Sequence, residues 1–173
     1  MNRYFRDYAI LLGLAGVVIA LDQWTKWLVR TNIPFQQAWL PDPLLWLMPY
    51  ARIVHWSNSG AAFGSFQNGN TVFTVLAIIV IIAIFYYYPR VEAGDWALRL
   101  AMGLQLGGAA GNLIDRLMAG KVTDFISVGN FAVFNVADSS ISVGVAVLVL
   151  GVWIKERNDK KNVPSGEAEK SEE

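Results

Sequence analysis

The stretch Thr71–Tyr88, TVFTVLAIIVIIAIFYYY, contains no charged residue and is rich in isoleucine and valine. As a helix, its 18 residues would rise about 27 Å, which is close to the thickness of the hydrocarbon core of a bilayer. The three tyrosines that end it, before Pro89 and Arg90, are typical of a membrane–water interface. The stretch therefore predicts a transmembrane helix.

The composition of the whole chain agrees with a membrane domain. The chain has 173 residues, of which 54% are hydrophobic and 16% charged, and these values favour one membrane domain. It has no cysteine, which excludes a thiol nucleophile, a disulfide framework and Cys-ligated zinc. The formal net charge is +0 and the basic residues form no patch interleaved with aromatics, so we expect no nucleic-acid partner. We also expect neither a metal ion nor a cofactor.

Three further segments are apolar enough to span a membrane. The four predicted helices lie at residues 8–29, 71–88, 97–117 and 137–154. The first follows Arg3 and Arg6, as in a signal peptide, but its apolar run continues through Trp24 and Trp27, which predicts a retained helix. The third is rich in glycine and alanine between residues 103 and 111, and small residues permit close helix packing in lipid.

Two long connections join the predicted helices, at residues 31–70 and 118–136. In the first, the residues around Ile53 and Trp56 suit a small sheet or a membrane-hugging loop. In the second, residues 128–134 suit a short strand or a membrane-surface segment. We therefore predict a membrane α-helical fold of four transmembrane helices with a small extracytoplasmic β-sheet and loop region.

Four serial spans place both termini on one side of the membrane. Nine basic residues fall on that side: Arg3, Arg6, Arg90, Arg99, Lys155, Arg157, Lys160, Lys161 and Lys170. Five fall on the other side: Lys26, Arg30, Arg52, Arg116 and Lys121. Because cytoplasmic ends carry the excess of Lys and Arg, both termini are predicted to be cytoplasmic. Residues 1–157 would form one four-span membrane domain, and residues 158–173 a polar cytoplasmic tail.

The chain places its acidic residues on one face of the membrane. In either orientation, the ends of helices 1 and 3 and the starts of helices 2 and 4 share a face. Four aspartates fall toward it: Asp22, Asp115, Asp124 and Asp138. Carboxylates at the edge of the hydrocarbon are costly and usually functional, so this face is the predicted site.

Two groups of polar residues accompany these aspartates. Asn112, Asp115 and Arg116 share one face of helix 3 through their i, i+3 and i+4 spacing; Asp115 and Arg116 alone would also suit an interfacial ion pair at a helix end. Asn135 and Asp138 are three residues apart at the start of helix 4, where N-capping is the structural alternative. We expect both groups to shape the site.

Two more motifs can be explained either by a role at the site or by a purely structural role. Asp22 and Lys26 have the i, i+4 spacing of an intrahelical ion pair, so we expect them to support the structure. Asn58 and Gly60 lie in NSGAAFG, residues 58–64, whose small residues allow close backbone approach, either to cradle a substrate or to form a turn.

The pair Asp124 and Asp138 suits acid–base hydrolysis. Two neighbouring carboxylates share one proton and titrate as a coupled pair. The ionised member can take a proton from water as it attacks a carbonyl, while the protonated member stabilises the oxyanion. Such a pair needs no covalent intermediate.

Five motifs in register resemble the lipoprotein signal peptidases, or signal peptidase II. The matching blocks are Asp22–Lys26 (DQWTK), Asn58–Gly64 (NSGAAFG), Gly111–Arg116 (GNLIDR), Val122–Phe125 (VTDF) and Phe134–Ser139 (FNVADS). They run from helix 1 to helix 4. Any one of them is a weak signal, but five in order on a four-span chain are specific.

The resemblance implies an aspartic endopeptidase of the bacterial inner membrane. It would cleave diacylglyceryl-modified prolipoproteins before the lipidated cysteine, facing the periplasm, with membrane phospholipid around it and inhibition by the cyclic peptide globomycin. Asp124 and Asp138 would be its catalytic dyad. Residues that would bind substrate or shape the site are Asn112, Asp115, Arg116, Asn135, Asn58 and Gly60. Asp22 and Lys26 would support them.

Two other functions are alternatives. A Ser-Lys membrane peptidase would use Lys26 or Lys121 with a serine such as Ser139, but it would leave both dyad aspartates without a role. A small transporter of polar solutes or ions would line a path with aspartates and asparagines. Against it, the polar residues cluster near one face, and helix 2 contributes none within its span.

Overall fold

The computed structural model describes residues 3–59 and 69–162. Along these residues the elements are α1 (Arg3–Asn32), β1 (Ala38–Trp39), β2 (Ala51–Asn58), α2 (Gly69–Tyr87), α3 (Trp96–Ala119), β3 (Val122–Val128) and α4 (Val136–Asn162). Two short 3-10 helices, Asp42–Leu47 and Tyr88–Arg90, lie in the connections. The result is a helical bundle with a small sheet, in agreement with the predicted fold class.

Helix α4 differs most from its predicted bounds. It continues through Asn162, whereas the sequence predicted an end at residue 154. Residues 152–162 contain neither glycine nor proline, so no helix breaker interrupts this charged stretch. The helix thus extends into the predicted polar tail, and the rest of that tail lies outside the described residues.

The third helix is the central one. Within the described ranges, three helices are long and apolar enough to cross a membrane, at Phe5–Asn32, Gly69–Arg90 and Val136–Asn158. Helix α3 has 24 residues but is more polar, and it packs against α1, α2 and α4. Its neighbours therefore shield polar groups that would be costly to expose to lipid.

Glycines in α3 allow its neighbours to approach closely. A Cβ atom on Gly108 would lie 2.5 Å from the Ala137 carbonyl oxygen of α4, and one on Gly111 would lie 2.7 Å from Asp22 Oδ2 of α1. A side chain at either position would force the helices apart. The predicted close packing is thus present, and it brings polar residues of three helices together.

The sheet lies at one end of the bundle. Its order is β1-β2-β3, with both pairs antiparallel. Helix α3 ends at Gly120, which has a φ of 69°, and this left-handed residue turns the chain directly into β3. Phe125 of β3 packs with Val29 and Ile33 of α1 in a small buried cluster. The connection after α3 is therefore firmly attached to the helices.

The strand in this connection lies earlier than residues 128–134, where the sequence suggested a short strand or a membrane-surface segment. Strand β3 spans Val122–Val128, and Gly129, at a φ of 51°, starts a turn. Within 129–134, only Phe134 pairs with the strand, through one bridge to Ile126. Asp124 consequently lies on a strand and not in an irregular loop.

Candidate active site

Lys26 is the centre of a buried polar cluster. Its Nζ lies 2.8 Å from Asp22 Oδ2 and 3.1 Å from Asp115 Oδ2, and it donates a hydrogen bond to Asn112 Oδ1 at 2.9 Å. A buried ammonium requires good partners to offset its lost hydration, and here it has two carboxylates and an amide. The predicted Asp22–Lys26 pair is therefore part of a larger cluster that joins α1 to α3.

The two carboxylates of this cluster also bind the backbone of neighbouring elements. Asp22 Oδ1 accepts a hydrogen bond from the N–H of Ala137 at 2.9 Å, in the first turn of α4. Asp115 Oδ2 accepts one from the N–H of Thr123 at 3.1 Å, on β3. Four elements thus meet at this cluster, and those that carry Asp124 and Asp138 are both attached to it.

Lys26 fixes the orientation of the Asn112 amide. An ammonium only donates hydrogen bonds, so Asn112 must present its oxygen to Lys26. Its Nδ2 then faces the other way and donates to Asp138 Oδ1 at 2.8 Å. The buried cluster is therefore connected through one amide to a candidate catalytic carboxylate.

Asn135 and Asp138 form a reciprocal cap at the start of α4. Asn135 Oδ1 accepts from the N–H of Asp138 at 2.9 Å, and Asp138 Oδ2 accepts from the N–H of Asn135 at 3.2 Å. This is the geometry of a capping box. The capping alternative considered for Asp138 is thus present, and it orients the carboxylate that also accepts the Asn112 hydrogen bond.

Asn135 also contacts the second aspartate. Its Nδ2 donates to Asp124 Oδ1 at 2.7 Å. Asp124 lies on β3 opposite Trp56 of β2 and is only 1% exposed. Asn135 therefore binds both aspartates, Asp124 through its side-chain amide and Asp138 through its main-chain N–H.

The surroundings of Asp124 favour its protonated form. Burial, and after it the negative charge of Asp138, raises the pKa of Asp124 to about 6. Hydrogen bonds from Asn58 and Asn135 and the charge of Lys26 act in the opposite direction and are outweighed. A carboxyl with this pKa can hold a proton near neutral pH and also release it.

A cavity opens beside Asp138, between α2 and α4. It has a volume of about 470 Å³. Asn58, Asn112, Arg116 and Asp138 provide polar walls at one end. Most of the other lining residues are apolar: Phe73, Leu76, Ala77, Val80, Ala109, Ile141 and Val145. The cavity thus combines an apolar groove with a polar end at Asp138.

Arg116 offers a hydrogen-bond donor at this polar end. Its guanidinium lies 5.4 Å from the centre of the Phe73 ring. Its Nε is buried, and no described residue accepts a hydrogen bond from it. Unpaired buried donors are costly, so this group is suited to bind an acceptor on a ligand.

The structure brings most of the predicted site residues together. Asp22, Lys26, Asn112 and Asp115 form the buried cluster, and Asn58, Asn135 and Arg116 surround the two dyad aspartates. Asp115 faces Lys26 and β3 and does not pair with neighbouring Arg116 as an interfacial ion pair would require. Gly60 lies outside the described residues.

Sequence reasoning missed Gln23. Its Nε2 donates to Asp22 Oδ2 at 3.2 Å, to the Gly111 carbonyl at 3.1 Å and to Asp115 Oδ1 at 3.1 Å. Gln23 stands next to Asp22 inside the first motif, and that position was the available signal. Its partners on α3, however, are 88 and 92 residues away in sequence, so no local spacing indicates them.

The hydroxyl groups near the site have structural partners. Ser139 Oγ donates to the Asn135 carbonyl at 2.8 Å, and Ser140 Oγ donates to the Ala137 carbonyl at the same distance. Lys26 is occupied by carboxylates and an amide. A Ser-Lys dyad is therefore not assembled among the described residues around Lys26.

A family model matches most of the chain. It is described as signal peptidase (SPase) II and matches residues 14–154. All five sequence motifs and both dyad aspartates lie within this range.

Several named relatives are similar over nearly their whole length. A lipoprotein signal peptidase of Shouchella clausii (strain KSM-K16) is 40% identical over 151 residues, which cover 86% of this chain and 96% of that protein. One of Bacillus subtilis (strain 168) is 40% identical over 152 residues, with the same shares of each chain.

Solved structures agree with the fold. One, described as a bacterial membrane enzyme, has a TM-score of 0.75 at 30% identity and covers 86% of this chain and 90% of its own. A second with the same description has a TM-score of 0.73, again at 30% identity, and covers 82% of this chain and 91% of its own.

Proposed function

The chain belongs to the signal peptidase II family, and on this premise we propose that Asp124 and Asp138 are the catalytic dyad of an aspartic endopeptidase. Membership makes the chain a peptidase that removes signal peptides from prolipoproteins. The proposal adds which two residues perform the hydrolysis and which of them holds the proton that they share.

The observation that carries the proposal is the position of Asn135. Its amide binds Asp124 and its main-chain N–H binds Asp138, so one residue controls the relative position of two carboxylates from different elements. Preorganised acid–base groups of this kind need no rearrangement at the moment of reaction. The polar end of the cavity at Asp138 supplies a place for the scissile peptide.

The two aspartates have different roles. Asp124 is buried, and its pKa of about 6 favours retention of the shared proton. Asp138 accepts hydrogen bonds from Asn112 and from the Asn135 N–H, which hold its carboxyl group in position, and the pair shares one proton, which Asp124 holds. Asp138 is therefore the general base, and Asp124 is the general acid.

Hydrolysis then proceeds without a covalent intermediate. Asp138 takes a proton from water as the water oxygen attacks the scissile carbonyl, and Asp124 gives its proton to the developing oxyanion. When the C–N bond breaks, protonated Asp138 transfers its proton to the leaving amine, and Asp124 recovers a proton from the diol. Both groups return to their starting states, so the cycle balances.

Two further residues hold the substrate and the base. Arg116 presents its Nε, which is bound by no described residue, at the same end of the cavity as Asp138, and it binds a carbonyl oxygen of the substrate near the scissile bond. Asn112 keeps Asp138 in position through its amide, whose orientation Lys26 sets. Asp22 and Asp115 support this arrangement by binding Lys26.

The substrate is a diacylglyceryl-modified prolipoprotein that is cleaved before its lipidated cysteine. The cavity beside Asp138 has apolar walls from α2 and α4, and such walls suit both an acyl chain and a hydrophobic signal peptide. A lipid-anchored peptide presents its scissile bond near the membrane surface, where the aspartates lie. Globomycin, a cyclic peptide, would occupy the same cavity and inhibit the enzyme.

The enzyme lies in the inner membrane of a bacterium, among phospholipids, with both termini in the cytoplasm and the active site facing the periplasm. The excess of basic residues on the side of the termini supports this orientation. The apolar outer faces of α1, α2 and α4 support contact with lipid.

Cleavage of a lipidated prolipoprotein by the purified protein tests the dyad. Asp124→Asn and Asp138→Asn should each lower kcat by about 10²- to 10⁴-fold, the usual contribution of a general acid or base. Asp42→Asn, a change of an exposed aspartate in the first 3-10 helix, is the matched control and should leave kcat unchanged. Full activity in either dyad variant would contradict the assignment.

A second pair of variants separates the dyad from Ser-Lys chemistry. Ser139→Ala and Ser140→Ala should retain turnover within about threefold, because each hydroxyl only binds a helix carbonyl. Complete loss of turnover in either serine variant, together with active aspartate variants, would favour a serine nucleophile.

A further inference from the structure

The cavity beside Asp138 meets a second cavity deeper in the bundle. The second has a volume of about 690 Å³ and reaches Arg90 and Lys155 at the opposite end of the helices. Two residues line both cavities, Val80 of α2 and Gln105 of α3. A groove lined by α2 and α3 therefore continues past the candidate active site, and Gln105 lies where its two parts meet.

Gln105 is a polar residue in an apolar part of this groove. It lies seven residues before Asn112 on α3, which corresponds to about 10 Å along the helix axis. Its neighbours in the groove at this depth include Val80 and Val145. An amide at this depth in the membrane is costly unless it finds a hydrogen-bonding partner.

The protein supplies no such partner in the part that the structure describes. Among residues 3–59 and 69–162, no hydrogen bond to the Gln105 side chain is formed, and the side chain is only partly buried. Its stem lies against α4, since a Cβ on Gly144 would be 3.1 Å from Gln105 Cγ. Gln105 is therefore held in place by its stem, while its amide is available to an occupant of the groove.

We propose that Gln105 is a substrate-binding residue that donates a hydrogen bond from Nε2 to a carbonyl oxygen of the substrate, about 10 Å deeper in the groove than the scissile bond. This inference rests on the proposed function, which puts a lipidated signal peptide into the same groove. It adds a polar contact at a depth where the other groove walls are apolar.

Two carbonyl groups of the substrate can reach this depth. The first is the main-chain carbonyl about three residues before the scissile bond, because an extended peptide advances about 3.3 Å per residue. The second is an ester carbonyl of the diacylglyceryl group on the cysteine. Both are hydrogen-bond acceptors that lose water on entering the membrane, and the Gln105 amide restores a donor to either.

The test compares Gln105→Met with the wild-type enzyme on a lipidated prolipoprotein in proteoliposomes. Methionine keeps the length of the side chain and removes the amide. A hydrogen bond between polar groups in a membrane has a modest value, so KM should rise roughly 5- to 20-fold while kcat stays within about twofold. Leu104→Met, one residue away on α3, is the matched control and should leave both constants unchanged.

Substrate analogues identify the acceptor. If it is an ester carbonyl, an ether-linked dialkylglyceryl substrate should abolish the difference in KM between wild type and Gln105→Met. If it is the peptide, the difference should persist with the ether lipid and shrink when the third peptide bond before the cleavage site is replaced by an ester, whose carbonyl is a weaker acceptor.

Other results would overturn the proposal. A KM for Gln105→Met within twofold of the wild-type value would remove Gln105 from substrate binding. A KM increase that no analogue changes, accompanied by a lower unfolding temperature, would make Gln105 a structural residue. Failure of the dyad assignment is distinguishable, because it appears as retained kcat in Asp124→Asn or Asp138→Asn, which the Gln105 variant does not affect.

Discussion

The two ends of the helix bundle both contain a buried ion pair between α1 and α3. At one end, Asp7 binds Arg99, with Nη1 to Oδ1 at 2.9 Å and Nη2 to Oδ2 at 3.2 Å. At the other, Lys26 binds Asp22 and Asp115. A buried charge that is paired with a counter-charge therefore occurs at both ends of the bundle.

The connections of the two ion pairs differ. Arg99 also donates to the carbonyls of Val91 and Glu92, and its guanidinium lies 5.1 Å from the Tyr88 ring centre. All of these partners belong to the turn between α2 and α3 and its flanks. This pair closes one end of the bundle, and the contacts of Arg99 named here lie away from the candidate active site.

The Lys26 cluster leads onward to the site. Lys26 orients Asn112, which donates to Asp138, and Asp115 holds the strand that carries Asp124. A buried ion pair is weak evidence for stability by itself. What distinguishes the Lys26 cluster is its set of hydrogen bonds to the two dyad-bearing elements, and this difference can be tested.

The largest effect should come from removing the two cations in turn. Lys26→Met leaves two buried carboxylates without their shared cation, and Arg99→Met removes the guanidinium that binds both oxygens of buried Asp7. Each should lower the free energy of unfolding by about 3–5 kcal/mol. Only Lys26→Met should also lower kcat of the folded enzyme, by about 10- to 100-fold, because Asn112 loses the contact that orients it.

Thermal unfolding in detergent, followed by kcat per folded molecule, checks this pair of variants. Equal kcat losses in both variants would show that general loosening of the bundle, and not the orientation of Asn112, limits turnover. Unchanged kcat in Lys26→Met would mean that Asp138 keeps its position without this cluster.

The comparison also shows how much the sequence could predict. The i, i+4 spacing of Asp22 and Lys26 indicated their pair, and serial spans placed the aspartates on one face. The spacing could not reveal that Lys26 also binds Asn112, which is 86 residues away. Contacts of this range depend on how α1 and α3 pack, and that packing depends on the absence of a side chain at positions such as Gly111.

Strand β3 illustrates the same limit. The sequence suggested a strand or surface segment at residues 128–134, because the apolar residues there resemble those of a strand. The observed strand begins at Val122, where Gly120 ends α3 and the Thr123 N–H reaches Asp115. A tertiary contact thus decided the register that placed Asp124 near α4.

Burial of the Asp124 carboxyl should lower the stability of the folded protein at neutral pH. The pKa of Asp124 is raised from its usual value of 3.8 to about 6, so the folded state binds the proton more tightly than the unfolded state. Stability from this group is complete below about pH 4 and is lost as pH rises through 6. Asp124→Asn, although its kcat is lowered, should therefore be more stable than wild type at pH 7.5, by up to about 3 kcal/mol.

Unfolding temperatures of wild type and Asp124→Asn between pH 4 and pH 8 check the sign. The difference should be small near pH 4 and grow toward pH 7. A difference that does not change with pH would contradict the raised pKa, and a destabilised variant at pH 7.5 would mean that asparagine cannot replace the protonated acid.

A smaller effect should appear in the pH dependence of turnover. Loss of the proton from the dyad should give kcat/KM an alkaline limb with an apparent pKa that belongs to the pair. A hydrogen bond from Asn58 lowers the pKa of Asp124, so Asn58→Ala should move this limb to higher pH. Thr25→Ala is the control, because the Thr25 hydroxyl donates to the carbonyls of Leu21 and Asp22 in its own helix. A limb that stays in place in Asn58→Ala would remove Asn58 from the control of Asp124.

The smallest effect should come from the exposed pair Lys155–Asp95, which lies at the same end of the bundle as Arg99. The Lys155 Nζ is 3.7 Å from Asp95 Oδ2, and the Lys155 side chain is 60% exposed, so water and salt screen the pair. Lys155→Met should change the free energy of unfolding by less than about 1 kcal/mol. If Lys155→Met proved as damaging as Arg99→Met, burial would not be what separates strong from weak ion pairs in this bundle.

Asp95 has a second role, because it also accepts a hydrogen bond from the Leu98 N–H at 3.2 Å. Asp95→Ala should therefore lower the free energy of unfolding by about 1 kcal/mol more than Lys155→Met does, through loss of the helix cap.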